Sequence, residues 1–544
     1  MPPRPMRFWG WGSDEGAAAT GLPAHAVQWL EERLRAPLPQ TPRKAATVDD
    51  VRLPAAALPD GARAALVAAV GERGVREDQV ARVRHAAGRS YPDLLALRAG
   101  APPAAPDAVV LPADEGQVRA VLDVCAREGV AVVPFGGGTS VVGGVEPLRG
   151  PFASVIALDL GRLDGVEALD EVSELAVVRA GTAAADLEQA LGERGLTLGH
   201  LPQSYEHVSI GGCVATRSAG QASTGYGRID ELVLGLRAVA PAGDLDLPPV
   251  PATAAGPSLR GLLVGSEGTL AVLTAVALRV RPAPEERRYE AVMLPDLGAG
   301  LDAFRALAQQ GAAPDVARLS DEDESAMTLA FAGTARLRPA ALNAYLRVRR
   351  VAGGCLAIVG WEGTAAQVRA RREATLKILR AHGGVSLGTA GGRAWARTRF
   401  QGPYLRDALM DRGMLVDTLE TAAPWSALPR LYAAVRHALG AHAPVVGCHV
   451  SHLYATGASL YFTFLARREE REPLAQWQAI KRQATDAIVE HGGTLTHHHA
   501  VGRDHAPWLA REIGETGVAA LRALKRELDP AGVLNPGKLA GGVA

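Results

Sequence analysis

The stretch VAVVPFGGGTSVVGG, Val130–Gly144, decides how the rest of the chain is read. Val130–Pro134 is a short apolar strand that runs into Phe135-Gly136-Gly137-Gly138-Thr139-Ser140. Successive glycines carry no Cβ, so the chain can turn with positive φ and press its N–H groups against a ligand. Such a nest suits a phosphate or pyrophosphate. A tight surface turn is the plainer reading of a lone Gly-Gly-Gly. The loop lacks the Gly-Lys-Ser/Thr ending of a P-loop. A dinucleotide fingerprint of the Rossmann kind would open a helix directly after the strand. Here Phe152–Leu160, FASVIALDL, reads as another strand, with no helix between. The expectation is a strand–loop–strand phosphate cradle of a different fold.

At 544 residues the chain is too long for one ordinary core, so two or three domains are expected. It is 48% hydrophobic and 21% charged, a globular composition. Lys+Arg and Asp+Glu balance at 58 each, so no overall positive field favours nucleic acid, and no nucleic-acid partner is expected. No apolar run approaches the roughly 18 residues of a membrane span. The MPPRPMRFWGWG opening lacks the apolar core of a secretory signal. Cys125, Cys213, Cys355 and Cys448 are scattered without a CxxC. They read as reduced thiols of a cytoplasmic protein.

Phe8, Trp9 and Trp11 form a dense aromatic cluster, read as an anchor for the N-terminal segment. Helical periods occupy 24–36 and 60–98. From 106 to 282 strands and helices alternate. Asp114 and Gln117 suggest a capping box for a helix with Val118, Val121, Leu122 and Cys125 on one face, stopped by Gly129. The blocks PQSYEHVSIGG (202–212) and ATRSAG (215–220) read as irregular segments of small and hydroxyl residues that offer close approach and donors. GSEGTL (265–270) leads into a β-branched strand reaching Val280, and Pro282 and Pro284 mark a boundary. Helices near 298–310, 364–382 and 425–439, with strands near 355–361 and 458–465, make a second unit.

PFGGGTS, PQSYEHVSIGGCVATRSAG and GSEGTLAVLT in this order resemble the FAD-binding domain of the vanillyl-alcohol oxidase / p-cresol methylhydroxylase flavoproteins. The resemblance implies an α+β fold. A two-subdomain FAD-binding domain of the p-cresol methylhydroxylase type is joined by an α+β cap domain and a helical N-terminal extension. The expected divisions are 1–105 for the extension, 106–284 for the FAD-binding domain, 285–495 for the cap, and 496–544 for a histidine segment and a return to the FAD-binding domain. By the family pattern Pro134, Phe135, Gly136, Gly137, Gly138, Thr139 and Ser140 cradle the FAD pyrophosphate. Gln203, Ser204, Ser209, Gly212, Ala215, Thr216, Arg217 and Ser218 line the flavin, and Glu267, Gly268, Thr269, Leu270 and Val272 complete the site. Within that superfamily RFWGWG with Gly21-Leu22-Pro23, Arg318-Leu319-Ser320-Asp321, Tyr404–Asp407, Leu419–Trp425, Tyr454–Tyr461 and Thr496–Gly502 resemble the alkylglycerone-phosphate synthases.

In Ser459–Phe464, alternation puts Ser459, Tyr461 and Thr463 on one face and Leu460, Phe462 and Phe464 on the other. Without the resemblance this is a half-buried structural strand. With it, Tyr461 matches the family's acid–base tyrosine. An unperturbed phenol has a pKa near 10, so acting as a base at neutral pH requires a depressed pKa or a proton relay. His497, His498 and His499 follow one another, and consecutive side chains diverge on a strand or a helix. No metal is therefore expected. The resemblance makes His498 and His499 the active-site pair, with His497 beside them. Related hydroxy-acid dehydrogenases tend to carry Glu-His-Gly where this chain has His498-His499-Ala500. Arg406 matches the synthases' active-site arginine, a planar permanent cation for an anionic oxygen. Arg318 is the candidate for the substrate phosphate, and His449 and His452 are further candidates for the cavity wall.

The implied reaction is exchange of the acyl group of acylglycerone phosphate for a fatty alcohol, giving an ether-lipid precursor. FAD is the cofactor and small-molecule lipids are the substrates. Peripheral membrane contact and a homodimer are expected. The alternative is a FAD-dependent dehydrogenase or oxidase of a 2-hydroxy acid or alcohol.

Overall fold

A computed structural model describes residues 6–13, 22–331 and 339–542. Gly21 and the first five residues of the opening lie outside the described residues. The strand Val130–Phe135 pairs in parallel with Ser154–Asp159, and the latter pairs in parallel with Ala108–Val110. The crossover from Val130–Phe135 to Ser154–Asp159 contains no helix. Val75–Arg76 completes this four-stranded sheet. The helix Glu115–Glu128 buries Val118, Val121, Leu122, Val124 and Cys125. Asp114 caps it by accepting from Gln117 N, whereas the Gln117 side chain accepts from Ala113 N, one residue before the cap. Gly129 ends it at φ 66, in the left-handed region that an L side chain resists. The C-terminal tail returns to the sheet: Val132 N donates to Val533 O and Asn535 N donates to Val132 O, both at 2.8 Å.

A five-stranded antiparallel sheet follows, ordered 166–170, 175–179, 272–279, 233–240, 243–247. The 202–220 region is less irregular than its composition suggests. Ile210–Ala215 is helical, capped by Ser209, whose Oγ accepts from Gly212 N. A Cβ on Gly211 would lie 2.7 Å from that of Ala180. The glycine there serves close helix–strand packing, a need that composition does not separate from loop flexibility.

The largest sheet has seven antiparallel strands, ordered 385–388, 286–294, 355–363, 316–320, 445–453, 457–467, 414–424. In the strand Gly457–Arg467, Leu460, Phe462 and Phe464 are wholly buried in one core cluster with Leu431 and Val435 of the helix Leu428–Gly440 and Ile480 and Ile488 of Pro473–Glu490. Burying each ring contributes about 2–3 kcal/mol. A one-residue slip would exchange the two faces, so this burial fixes which face carries Tyr461.

The RFWGWG segment is an anchor, and it touches more than one unit. Trp9 lies near the guanidinium groups of Arg7 and Arg98, with ring centroids 5.2 and 5.1 Å away. Trp11 N donates to Asp407 Oδ2 at 2.6 Å, in the helix Gly402–Asp411. The buried Arg89 guanidinium donates to the carbonyls of Arg7, Gly88 and Gly10.

Candidate active site

The glycine loop has the form of an anion cradle. Among the described residues, the peptide N–H groups of Gly136 to Ser140 find no protein acceptor. Gly138 takes φ 64. A Cβ on Gly136 would lie 2.1 Å from Ser209 Oγ, and one on Gly137 would lie 2.0 Å from His207 O. The loop is therefore pressed onto the 207–209 segment, with peptide donors left for a ligand. These features fit a pyrophosphate. Ser140 braces the loop: its Oγ accepts from Gly144 N at 2.9 Å, and its carbonyl accepts from Arg89 N at 2.5 Å. Phe135 packs its ring on His85, centroids 4.4 Å apart. The Pro134 ring sits where a Cβ on Gly268 would come within 2.9 Å.

Many of the other side chains expected around a flavin are engaged within the protein. Gln203 Nε2 donates to Arg399 O, and Gln203 Oε1 accepts from Gln221. Arg217 donates to the carbonyls of Val264 and Gly261. Thr216 Oγ1 donates back to Gly212 O within its helix, and Ser218 Oγ meets His200 Nε2 at 2.7 Å. Thr269 Oγ1 donates to Ser266 O, while Leu270 and Val272 are core residues. Ser204, Gly212 and Ala215 belong to the same block, where Ser204 O accepts from His207 N and Ala215 O from Glu267 N. Around this block the protein offers a ligand mainly backbone and shape. Glu267 is buried and accepts from Val501 N at 2.9 Å and Gly502 N at 2.7 Å. It ties the segment after the histidines to the cradle's far end, where Asn535 Nδ2 donates to both Gly144 O and Glu267 O.

That tie holds the segment just after the histidines against Glu267, at the end of the glycine loop. Tyr461 is half-buried and lies between two neighbours in register, Glu420 on one strand and His449 on the other. Its ring stacks on His449 at 4.8 Å and on His498 at 5.9 Å, and meets His499 edge-on at 5.5 Å. Glu420, 2% exposed, accepts from Thr496 Oγ1 and from the successive N–H groups of His497, His498 and His499 at 2.6, 3.1 and 2.9 Å. Burial raises the pKa of Glu420, but the histidines and Thr496 outweigh it and hold the carboxyl well below its usual range. Ala500 then takes φ 75, a left-handed conformation usually left to glycine.

Burial sets the charges. It pushes His498 down to about 3 and His499 to about 4, so both are neutral imidazoles at pH 7. It pushes Tyr461 up to about 12, the opposite of the depression a resting base requires. Tyr461 is a neutral phenol that donates to Thr418 Oγ1 at 3.1 Å.

The two arginines differ. Arg406 is 9% exposed, donates through Nη2 to Arg89 O at 2.6 Å, and its Nε finds no protein partner. Asp417 Oδ1 lies 4.0 Å away. Arg406 is no surface residue and keeps donors to spare. Arg318 Nη2 is committed to Glu324 at 2.8 Å and also lies 3.1 Å from His449 Nδ1. The sequence reading did not pair Arg318 with this acid.

Residues 106–246 match the FAD binding domain family, and 283–539 match FAD linked oxidases, C-terminal domain. The chain is 34% identical to the alkyldihydroxyacetonephosphate synthase of Trypanosoma brucei brucei over 86% of its length and 78% of that protein's. It is 32% identical to that of Dictyostelium discoideum, with the same coverage. The chain belongs to the alkyldihydroxyacetonephosphate synthase family. Glycerone phosphate and dihydroxyacetone phosphate are the same compound, so this is the family resembled above. A solved alkyldihydroxyacetonephosphate synthase superposes with TM-score 0.83 at 26% identity over 98% of both chains. A p-cresol methylhydroxylase structure superposes with TM-score 0.68 at 16% identity, over 90% of this chain and 99% of that one, and shares the fold. FAD is the cofactor of this synthase-family chain.

Sequence reasoning gave no role to Glu420, although it stands in the quoted LETAAPW stretch, nor to Glu324. Glu420 is paired to Thr496–His499 and Glu324 to His449 as well as to nearby Arg318, and tertiary packing rather than any local pattern brings these partners together. His452 stacks on His497 at 5.0 Å. The consecutive histidines do not splay apart as expected: the Nδ1 atoms of His497 and His498 lie 3.0 Å apart, the rings of His498 and His499 are 4.6 Å apart, and His452, His497 and His498 each bring a ligand atom within 4.8 Å of the others.

Proposed function

We propose that the chain exchanges the acyl group of acylglycerone phosphate for a fatty alcohol, releasing a fatty acid and forming an alkyl ether. The observation that carries this reading is a neutral phenol and neutral imidazoles on one wall beside a pyrophosphate cradle, with a buried arginine holding spare donors nearby. FAD, when bound in the cradle, supplies an electron sink for the carbon next to the ketone.

The side chains do the rest. At neutral pH an imidazole of the His498/His499 pair takes the proton from the carbon bearing the ester oxygen, and later returns one. Tyr461 donates its hydroxyl to a reacting oxygen and is positioned through Glu420 and His449. Arg406 receives an anionic oxygen, either phosphate or departing carboxylate, with its free N–H groups. Arg318, tied to Glu324 and His449, has the weaker claim on the phosphate. The net proton balance closes: the alcohol loses one as the ether forms, and the leaving carboxylate can take one up.

Lipid substrates favour peripheral contact with a bilayer; among the described residues, no helix is long and apolar enough to cross one. Flotation with anionic or neutral vesicles tests that contact, and light scattering tests the homodimer. The reaction is tested by incubating the purified yellow protein with acylglycerone phosphate and labelled hexadecanol. Labelled ether without net flavin reduction is expected. Anaerobic bleaching by a 2-hydroxy acid, with no ether formed, would support the dehydrogenase instead.

A further inference from the structure

Arg89 is 3% exposed, yet its guanidinium bonds main chain rather than a carboxylate. Nε donates to Gly10 O at 3.2 Å, Nη1 to Gly88 O at 2.7 Å and Nη2 to Arg7 O at 2.6 Å. Burial lowers its pKa to about 10, against the pull of Asp407 and Asp93, so it stays a cation at pH 7. A buried cation with no acid in contact costs free energy, and its place in the fold calls for a reason.

The main chain of the same residue supplies one. Arg89 N donates to Ser140 O at 2.5 Å, at the end of the glycine run, and Arg89 O accepts from Arg406 Nη2 at 2.6 Å. One residue therefore spans the glycine loop and Arg406. Its approach to the loop is close: a Cβ on Gly88 would lie 2.5 Å from Ser140 O. On the other side, Ser90 caps the helix Tyr91–Arg98, its Oγ accepting from Asp93 N at 3.2 Å.

We propose that Arg89 is a positioning residue: its guanidinium, clamped on carbonyls of the opening segment, fixes a main-chain bridge that holds Arg406 at a set place relative to the glycine loop. The proposal rests on the anion-receiving role of Arg406 proposed above. Arg406 has little else to orient it. Its Nε has no protein partner and Asp417 Oδ1 is 4.0 Å away, so a shift of the Arg89 carbonyl moves the Arg406 guanidinium. The two guanidinium groups also repel each other, and would separate if the clamp were lost. The opening segment is built to hold: Met6 bridges Ser13, and Arg7 N donates to Gly12 O at 2.7 Å. It grips the helix of Arg406 at the next residue as well. Trp11 N donates to Asp407 Oδ2, a Cβ on Gly10 would lie 2.6 Å from that oxygen, and Arg98 Nη2 donates to Asp407 Oδ1 at 2.9 Å. The aromatic opening thereby serves the site as well as the fold.

The test is a double-mutant cycle with Arg89→Ala and Arg406→Ala, read as kcat/KM for ether formation with FAD added to saturation. Crystal structures of flavin-loaded wild type and Arg89→Ala accompany it. Misplacing a catalytic group by about 1 Å costs up to about 100-fold, so Arg89→Ala should lower kcat/KM about 10- to 100-fold. In the Arg406→Ala background the same change should cost less than about twofold, because the group it places is gone. A residue that merely stabilises the fold would cost the same factor in both backgrounds. In the variant crystal, Arg406 Nη2 should have left the Arg89 carbonyl. Arg89→Lys keeps the charge without the fork, and is read in the same two ways if Arg89→Ala does not fold. Its loss should be smaller, and again absent without Arg406. Wild-type kcat/KM, losses that multiply, or an Arg406 guanidinium unmoved in the variant crystal would overturn the proposal. The place of Arg406 is read without turnover, so it is decided even if exchange is not observed, a result that would count against the proposed reaction instead.

Discussion

Ala500 holds φ 75 directly after the histidines, where an L side chain costs about 1–2 kcal/mol. Ala500→Gly should raise stability by about 0.5–1 kcal/mol, the relieved strain less the added freedom of the unfolded chain, read by denaturant titration. The buried histidines make a separate prediction. His499 falls from 6.5 to about 4 on burial. Between those values the unfolded chain binds a proton that the folded chain refuses, so stability falls as pH drops from about 6.5 to about 4. Above that window His499 has no such effect. Glu267 and Asp504, raised by burial to about 7 and about 6, act in the opposite sense. Comparing Tm against pH for wild type and His499→Gln isolates the histidine, and the variant should show the shallower fall.

At the scale of elements, the strand Met414–Pro424 organises the wall through one side chain. Glu420 accepts from three successive backbone N–H groups and a threonine hydroxyl, a task no neutral side chain matches. Glu420→Gln replaces one acceptor oxygen with an NH2 group that faces donors. Leaving buried donors unpaired costs about 1–3 kcal/mol each, so a lowered denaturation midpoint and disordered histidine resonances are expected. The strand carrying Tyr461 was legible from alternation alone, because Leu460, Phe462 and Phe464 have to find a core. Ile210–Ala215 was not, since its glycines read as loop until Ala180 is seen packed against Gly211. Gln203 and Arg217 stand in the block expected to line the flavin, yet their side chains bond carbonyls whose positions no local pattern reveals.

For the whole molecule, the glycine loop and the tyrosine–histidine wall are far apart in sequence, and Glu267, Asn535 and the returning tail tie the loop to the segment after the histidines. The glycine loop and the tyrosine strand could each be read from the chain; the joint between them is a tertiary fact. Gly137→Ala should break the cradle's side of it. The added Cβ would fall 2.0 Å from His207 O, so the loop must move, and the purified variant should lose its yellow flavin absorbance. The measurement that tests the account most directly is the rate at which Tyr461→Phe incorporates labelled hexadecanol from acylglycerone phosphate, at flavin content matched to wild type. The account predicts a loss of about 10²- to 10⁴-fold with the flavin spectrum retained. Exchange at the wild-type rate would contradict it.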